Sequence, residues 1–227
     1  MAYKYESAVP WGRSFDEYVE MFELTDRDLQ GRILGCADGP AAFNATMAER
    51  GRFVVSCDPL YQFSNSQIRT RIDETYDNII DQTYRNLDKF VWTRIRSVEE
   101  LGQLRRASME NFLGDYDRGR HEGRYVTSEL PHLPFGPQTF DLAICSHFLF
   151  LYSPILSLSF HLEAVSAMCS VARDVRIFPL LTYDAETSPY LEDIMQTMRD
   201  EGRTVRIEPA SYEFQRGGNK MLRILSL

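Results

Sequence analysis

Residues 32–44, RILGCADGPAAFN, pair a short apolar run with a cluster of small residues, the composition a chain needs to turn sharply from a buried strand into a helix. Gly35, Ala37, Gly39 and Ala41 alternate through it, with Cys36, Asp38 and Pro40 between them. Small residues at this spacing let a ligand approach the backbone N–H groups at the start of a helix. They serve a plain structural turn equally well, so the stretch alone leaves both readings open. Its context narrows the choice. Asp58 stands nineteen residues after Gly39, at the end of the next apolar run, VVSCD, with Pro59 behind it. In doubly wound α/β folds an acid about 20 residues past the turn accepts the ribose hydroxyls of a nucleotide. Turn, strand and spacing together make Asp58 a ligand rather than a turn former.

The histidines offer acid–base chemistry. His147 closes the run FDLAICSH, and an imidazole titrating near neutrality there suits a general base, although a helix cap or a core filler would use the same residue. His132, in LPHLPF, lies on the preceding loop and is a second candidate. His161 falls in FHLEAVSAM, on the apolar face of a helix, and reads as structural. The four cysteines, Cys36, Cys57, Cys145 and Cys169, lie far apart inside apolar runs with no C-x-x-C spacing, which predicts buried thiols and no metal site.

These residues need elements to position them. The runs RILGC (32–36), RFVVSC (52–57), FDLAIC (140–145) and DVRIFPLL (174–181) are nearly continuous in apolar character, as in parallel strands covered on both faces. Helical patterns flank them. SFDEYVEMFEL (14–24) opens with Ser14 and Glu17 in capping-box spacing, and Ser188 stands as the N-cap of a second helix, SPYLEDIMQTMRDEG. From about Ser64 to Gly119 the chain reads helical, far longer than a crossover between neighbouring strands requires. This segment is either a lid, whose aromatics Tyr84, Phe90, Trp92 and Tyr116 with Tyr125 could flatten an acceptor, or a subunit contact that would make a homodimer. The last 24 residues form two β-rich stretches about Gly217-Gly218-Asn219, a hairpin signal. Arg216 and Lys220 beside that turn read as solvated edge charges or as a clamp for an acceptor anion.

The totals set limits. With 227 residues and 44% hydrophobic content, the chain can bury one large core. A formal charge of −8, with basic residues interleaved among acids, argues against a nucleic-acid partner. Neither a charged-then-apolar leader nor 18 consecutive apolar residues occur, so no membrane partner and a cytoplasmic location are expected.

From Gln30 onward the chain resembles the class I S-adenosylmethionine-dependent methyltransferases. The resemblance rests on the turn RILGCADGPAAF, on Asp58, on the C-terminal hairpin and on SELPHLPFGPQTFDLAICSHFLFLY, which is similar to the family's D-A-x-x-L-P-F followed by F-D-L-V. It implies an α/β fold: a Rossmann-like, seven-stranded, mostly parallel sheet with a C-terminal antiparallel β-hairpin, as one domain over residues 1–227 with a helical insertion at about 64–119. It implies S-adenosyl-L-methionine as cofactor, held at the turn by Gly35, Cys36, Ala37, Asp38 and Gly39. Asp58 and Pro59 would meet the ribose, Glu129 and Leu130 the adenine, and Ser146 and His147 would leave the fourth strand facing the cofactor. Two departures stand out. Gly35 replaces the acid that commonly holds the cofactor's amino-acid end, and Ala37 and Ala41 replace glycines. Asp38 is the substitute at hand for that acid, unless it only caps the following helix.

The function that follows is methyl transfer to a small-molecule acceptor, with His147 as base. A non-catalytic cofactor-binding sensor or assembly protein remains an alternative, as does a nicotinamide-dependent Rossmann enzyme, against which the terminal hairpin and the incomplete G-x-G-x-x-G count.

Overall fold

The four apolar runs become the middle of one sheet. The computed structural model describes residues 9–226 and contains β1 (Ile33–Cys36), β2 (Val54–Cys57), β3 (Tyr125–Val126), β4 (Phe140–Ser146), β5 (Ala172–Phe178), β6 (Thr204–Pro209) and β7 (Lys220–Leu225). Every residue of β1 and β2 is buried, the environment their unbroken apolar character demands. The strand order is β3-β2-β1-β4-β5-β7-β6. The first five strands run parallel, and β7 inserts antiparallel between β5 and β6. The sheet is therefore seven-stranded and mostly parallel, with the expected antiparallel hairpin at its end. Strand order reverses between β1 and β4, and the crevice beyond the carboxyl ends of such strands is where open α/β sheets receive ligands.

The helices are α1 (Phe15–Met21), α2 (Phe43–Glu49), α3 (Asn65–Tyr84), α4 (Val98–His121), α5 (Leu158–Val171) and α6 (Leu191–Asp200). One face of the sheet packs Leu34, Ala143 and Val175 against Val165 and Met168 of α5 and Ile194 and Met198 of α6. The other packs Ile33, Val54 and Ile144 against Tyr18 of α1 and Phe43 and Met47 of α2. A third cluster joins Ile68 and Ile72 of α3 to Phe112 and Tyr116 of α4, around Tyr61 and Tyr125. Of the aromatic residues expected to serve a lid, Tyr84 is exposed, with its hydroxyl on Glu99, and the others go into packing. Tyr116 and Tyr125 are core, and Phe90 stacks on Phe214 at 4.7 Å.

Other local expectations are revised by longer-range bonds. Ser188 stands two residues before the N-cap, Tyr190; its hydroxyl accepts from the Tyr190 N–H at 3.3 Å and lies 2.7 Å from Ser153 Oγ, and its own N–H is held by the Leu180 carbonyl. The hairpin closes at Pro209–Lys220, with ten residues between them rather than a tight glycine turn. Arg216 in that loop donates to the carbonyls of Asp88 and Phe90 (3.1 and 3.0 Å), tying the hairpin to the α3–α4 connection. For Arg216 the edge-charge and clamp readings give way to this contact, whereas Lys220 stays exposed. All four cysteines are free and buried. Among the described residues, no helix is long and apolar enough to cross a membrane.

Ser14 and Glu17 form their capping box, and Glu17 does more. Its two carboxylate oxygens accept from Arg105 Nη1 and Nη2 of α4 at 2.6 and 2.7 Å, and Oε1 also accepts from Tyr212 at 2.8 Å. Both side chains of this ion pair are about 1–2% exposed. Burial alone would raise the Glu17 pKa, but the charge and hydrogen bonds of Arg105 prevail and hold it at about 2. Removing one partner of such a pair strands the other charge, so Arg105→Met should cost roughly 3–5 kcal/mol in urea denaturation at pH 7. Because Glu17 binds its proton more weakly in the folded state, its contribution is complete above pH 4.5, the usual value, and is lost on acidification toward 2. Over that range Glu17→Gln should show a shallower loss of stability than the parent protein.

Candidate functional site

The carboxyl ends of β1, β2 and β4 open into a cavity of about 680 Å³, within the usual range for small-molecule sites. Ala37, Asp38, Gly39, Asp58, Pro59 and Leu130 line it, as do Ser146 and His147. Glu129 stands exposed at its rim. Gly35 and Cys36 do not reach it; they belong to the buried strand below.

The turn after β1 is built from left-handed backbone. Ala37 (φ 54°) and Gly39 (φ 53°) both occupy that region, so alanine here carries strain that glycine would not. The Ala37 N–H donates to Cys57 O of β2 at 2.8 Å, and Gly39 O accepts from the Tyr61 hydroxyl at 2.8 Å. Asp58 then locks the turn to the second strand. Its Oδ2 accepts from Gly39 N at 2.9 Å and its Oδ1 from Leu60 N at 2.7 Å. Each oxygen keeps a lone pair for a ligand. Burial pushes the Asp58 pKa up to about 6 against the pull of these two N–H groups.

Asp38 answers the question raised by the missing acid. Its carboxylate is buried, accepting at Oδ1 from the Tyr18 hydroxyl (2.9 Å) and at Oδ2 from Ser56 Oγ (2.7 Å). A Cβ on residue 35 would lie 1.8 Å from Asp38 Oδ2. The carboxylate thus fills the space that a side chain at position 35 would enter, and Gly35 is glycine to admit it. Behind Ser56 the bonds continue: Asn44 Nδ2 donates to Ser56 Oγ at 3.0 Å, and Asn44 Oδ1 accepts from Arg124 at 2.7 Å. Burial raises the Asp38 pKa to about 6, with both hydroxyl donors opposing.

His147 has a left-handed backbone (φ 51°) fixed by its N–H to Phe178 O at 2.6 Å, and its Nδ1 lies 2.9 Å from Ser146 Oγ. Burial, followed by the charges of Arg13 and Arg105, lowers its pKa well below the ordinary 6.5. That environment works against the expected general-base role, because accepting a proton would add charge beside two guanidinium groups. His132 also lines the cavity, whereas His161 is fully buried on α5, with its ring nitrogens near Ser157 O and Leu149 O.

Several lining residues carry no sequence signal. Trp11 and Arg13 come from the segment before α1, and Tyr18 from α1 itself. Gly12 brings that segment against the turn, for a Cβ there would lie 2.0 Å from Pro40 O, and Arg13 O accepts from Ala42 N at 2.9 Å. Of the long helical segment only Ile79 and Gln82 of α3 reach the cavity. Its remaining wall is apolar and follows β4: Phe148, Leu151, Ile155 and Phe160, with Tyr183 opposite in sequence.

No family model matches the chain. It is 32% identical over 213 residues to an uncharacterised protein of Methanocaldococcus jannaschii, covering 93% of each chain. Among solved structures it is similar to magnesium protoporphyrin IX methyltransferase from Synechocystis PCC 6803 with bound SAH, at a TM-score of 0.50 and 15% identity over 89% of this chain and 77% of that one. The same enzyme with bound SAM gives a TM-score of 0.47, over 89% and 73% of the two chains. The fold is that of the class I methyltransferases.

The contact between positions 35 and 38 can be measured. Gly35→Ala should cost about 1–3 kcal/mol, since it overpacks the buried carboxylate. In an Asp38→Ala background the same change should cost little, giving a coupling energy of at least about 1 kcal/mol in a urea-denaturation cycle. Additive costs would show that the two positions do not compete for one space.

Proposed function

The chain belongs to the family of the Methanocaldococcus jannaschii protein and has the class I methyltransferase fold, and from that premise we propose that it binds S-adenosylmethionine and transfers its methyl group to a small-molecule acceptor. One observation carries the reading: a carboxylate at the end of β2, immobilised by two backbone N–H groups, with free lone pairs facing a cavity at the sheet's switch point. When bound, the cofactor supplies a methyl group on a sulfonium, which a nucleophile in line with the S–C bond can take.

The protein's contribution is then position and solvent exclusion. Asp58 accepts from the ribose hydroxyls. Glu129 at the rim accepts from the adenine amine, with Pro59 and Leu130 as apolar surfaces beside the nucleoside. Asp38 works from beneath, holding the turn closed through Tyr18 and Ser56. The wall after β4 receives the acceptor: Ile155 and Tyr183 leave 58% and 46% of their area exposed, which suits an acceptor with an apolar body. His147, kept neutral, orients through its ring rather than taking a proton. An acceptor that is already nucleophilic, or that loses its proton to water, fits this site best.

Calorimetry with S-adenosylhomocysteine tests the cofactor reading. Asp58→Ala should weaken binding about tenfold or more, the equivalent of about 1.5–3 kcal/mol for a charge-assisted hydrogen bond. Since the free carboxyl titrates near pH 6 and the ionised form accepts the hydroxyls, affinity should rise with pH up to about 6 and level off above it, a profile that Asp58→Asn flattens. Binding of NADH in place of either adenosyl ligand would overturn the reading. Turnover of labelled cofactor over an acceptor panel separates an enzyme from a binding protein.

For Glu129 the expected order is Glu129→Gln weaker in effect than Glu129→Ala, because the amide retains one acceptor oxygen. The same calorimetric titration ranks them, and an equal or reversed order removes Glu129 from the adenine contact.

A further inference from the structure

A charge in the cavity wall stands without a counter-charge among the described residues. Arg13 lines the cavity, yet among the described residues it forms no ion pair, its one hydrogen bond being from Nη1 to Trp11 O at 3.2 Å. Its Nε is buried without a partner. The buried acids of α1 and of the cavity wall are already engaged. Glu17 is occupied by Arg105 and Tyr212, Asp38 by Tyr18 and Ser56, and Asp58 by the N–H groups of Gly39 and Leu60. Burial and the neighbouring Arg105 charge both lower the Arg13 pKa. A guanidinium nevertheless stays protonated at neutral pH, so the cavity wall carries a fixed, partly desolvated cation. An unpaired charge in such a place is unfavourable until an anion joins it.

Its location says where that anion would sit. The Arg13 backbone is pinned to the start of α2 by the Ala42 N–H, and Gly12 presses on the Pro40 carbonyl, so Arg13 enters the cavity wall from beside the glycine-rich turn. The group that best matches a guanidinium fork is a carboxylate, taken by two parallel N–H···O bonds. We propose that Arg13 is the anion-binding residue of this cavity and takes a carboxylate of the bound small molecule. The inference rests on the cofactor reading above for its first source of carboxylate, the amino-acid end of the cofactor. The second source is an acidic group on the acceptor.

Two ligands that differ only in the aminocarboxypropyl chain distinguish these. S-adenosylhomocysteine carries the carboxylate, whereas 5′-methylthioadenosine lacks it. If the cofactor is the source, Arg13→Gln should lose tenfold or more in affinity for S-adenosylhomocysteine while 5′-methylthioadenosine binds within about twofold of wild type, and Arg13→Lys, which keeps the charge without the fork, should fall between. If the acceptor is the source, both adenosyl ligands bind Arg13→Gln normally. In the S-adenosylhomocysteine complex, benzoate or 3-phenylpropionate should then bind wild type saturably, and benzamide should not, with the carboxylate binding lost in the variant. The proposal is overturned if Arg13→Gln weakens both adenosyl ligands alike, or if neither S-adenosylhomocysteine nor the carboxylates distinguish it from wild type. Should wild type bind neither adenosyl ligand, the cofactor reading fails by itself, and the carboxylate titration of the free protein still decides the role of Arg13. Melting temperature checks the fold of each variant, and if Arg13→Gln does not fold, the ratio of the two adenosyl affinities in Arg13→Lys decides by the same criterion.

Discussion

A carboxylate buried beneath the first strand-to-helix turn organises this end of the molecule. Asp38 takes one hydrogen bond from α1 through Tyr18 and another from β2 through Ser56, so a single side chain ties the turn after β1 to the elements on either side of it. Burying the carboxylate is unfavourable, as its raised pKa of about 6 records, and the two hydroxyl donors offset only part of that cost. What the arrangement yields is a turn whose shape is set from below, leaving its backbone and the Asp58 carboxylate free to face the cavity. Gly35 is the matching constraint, because only a residue without Cβ leaves room for the carboxylate above it.

The segment before β1 is drawn in by the same need to neutralise buried charge. Glu17 begins as a helix cap and ends as the partner of Arg105 from α4, with Tyr212 of the terminal hairpin loop as a third member. Three distant parts of the chain meet at one carboxylate. That meeting fixes α1 over the turn and carries Trp11 and Arg13 into the cavity wall, where Arg13 forms no ion pair among the described residues. The buried pair supplies rigidity to the segment, and the site we propose for Arg13 draws on a neighbouring charge of the same cluster.

The long helical pair between β2 and β3 divides its work differently from what its aromatic content suggests. Tyr116 and Phe112 pack with Tyr61 and Tyr125 into a core of their own, and Phe90 and Trp92 pack on Phe214. Only the end of α3 near Ile79 and Gln82 touches the cavity. The apolar wall for an acceptor comes instead from the residues after β4, where Phe148 to Phe160 carry large side chains that the sheet does not cover completely.

The centre of the fold was legible because parallel strands covered on both faces must be apolar throughout, so β1, β2, β4 and β5 announce themselves as local runs. The turn and Asp58 were legible for a related reason, since strand, turn, helix and next strand occupy a nearly constant length of chain. Sequence thus determined the sheet, its antiparallel end and the place of the crevice. Only the tertiary structure decided how charges pair across it. Glu17 and Arg105 are 88 residues apart, and Tyr212 and Glu17 are 195 apart, distances at which no periodicity or spacing survives. The same holds for Ser188, whose hydroxyl meets Ser153 as well as the Tyr190 N–H, and for His147, whose pKa is lowered by burial and by the charges of Arg13 and Arg105. Hydrophobic patterning reports which residues leave water, whereas the state of a buried polar group depends on which partner the folded chain brings within hydrogen-bond reach.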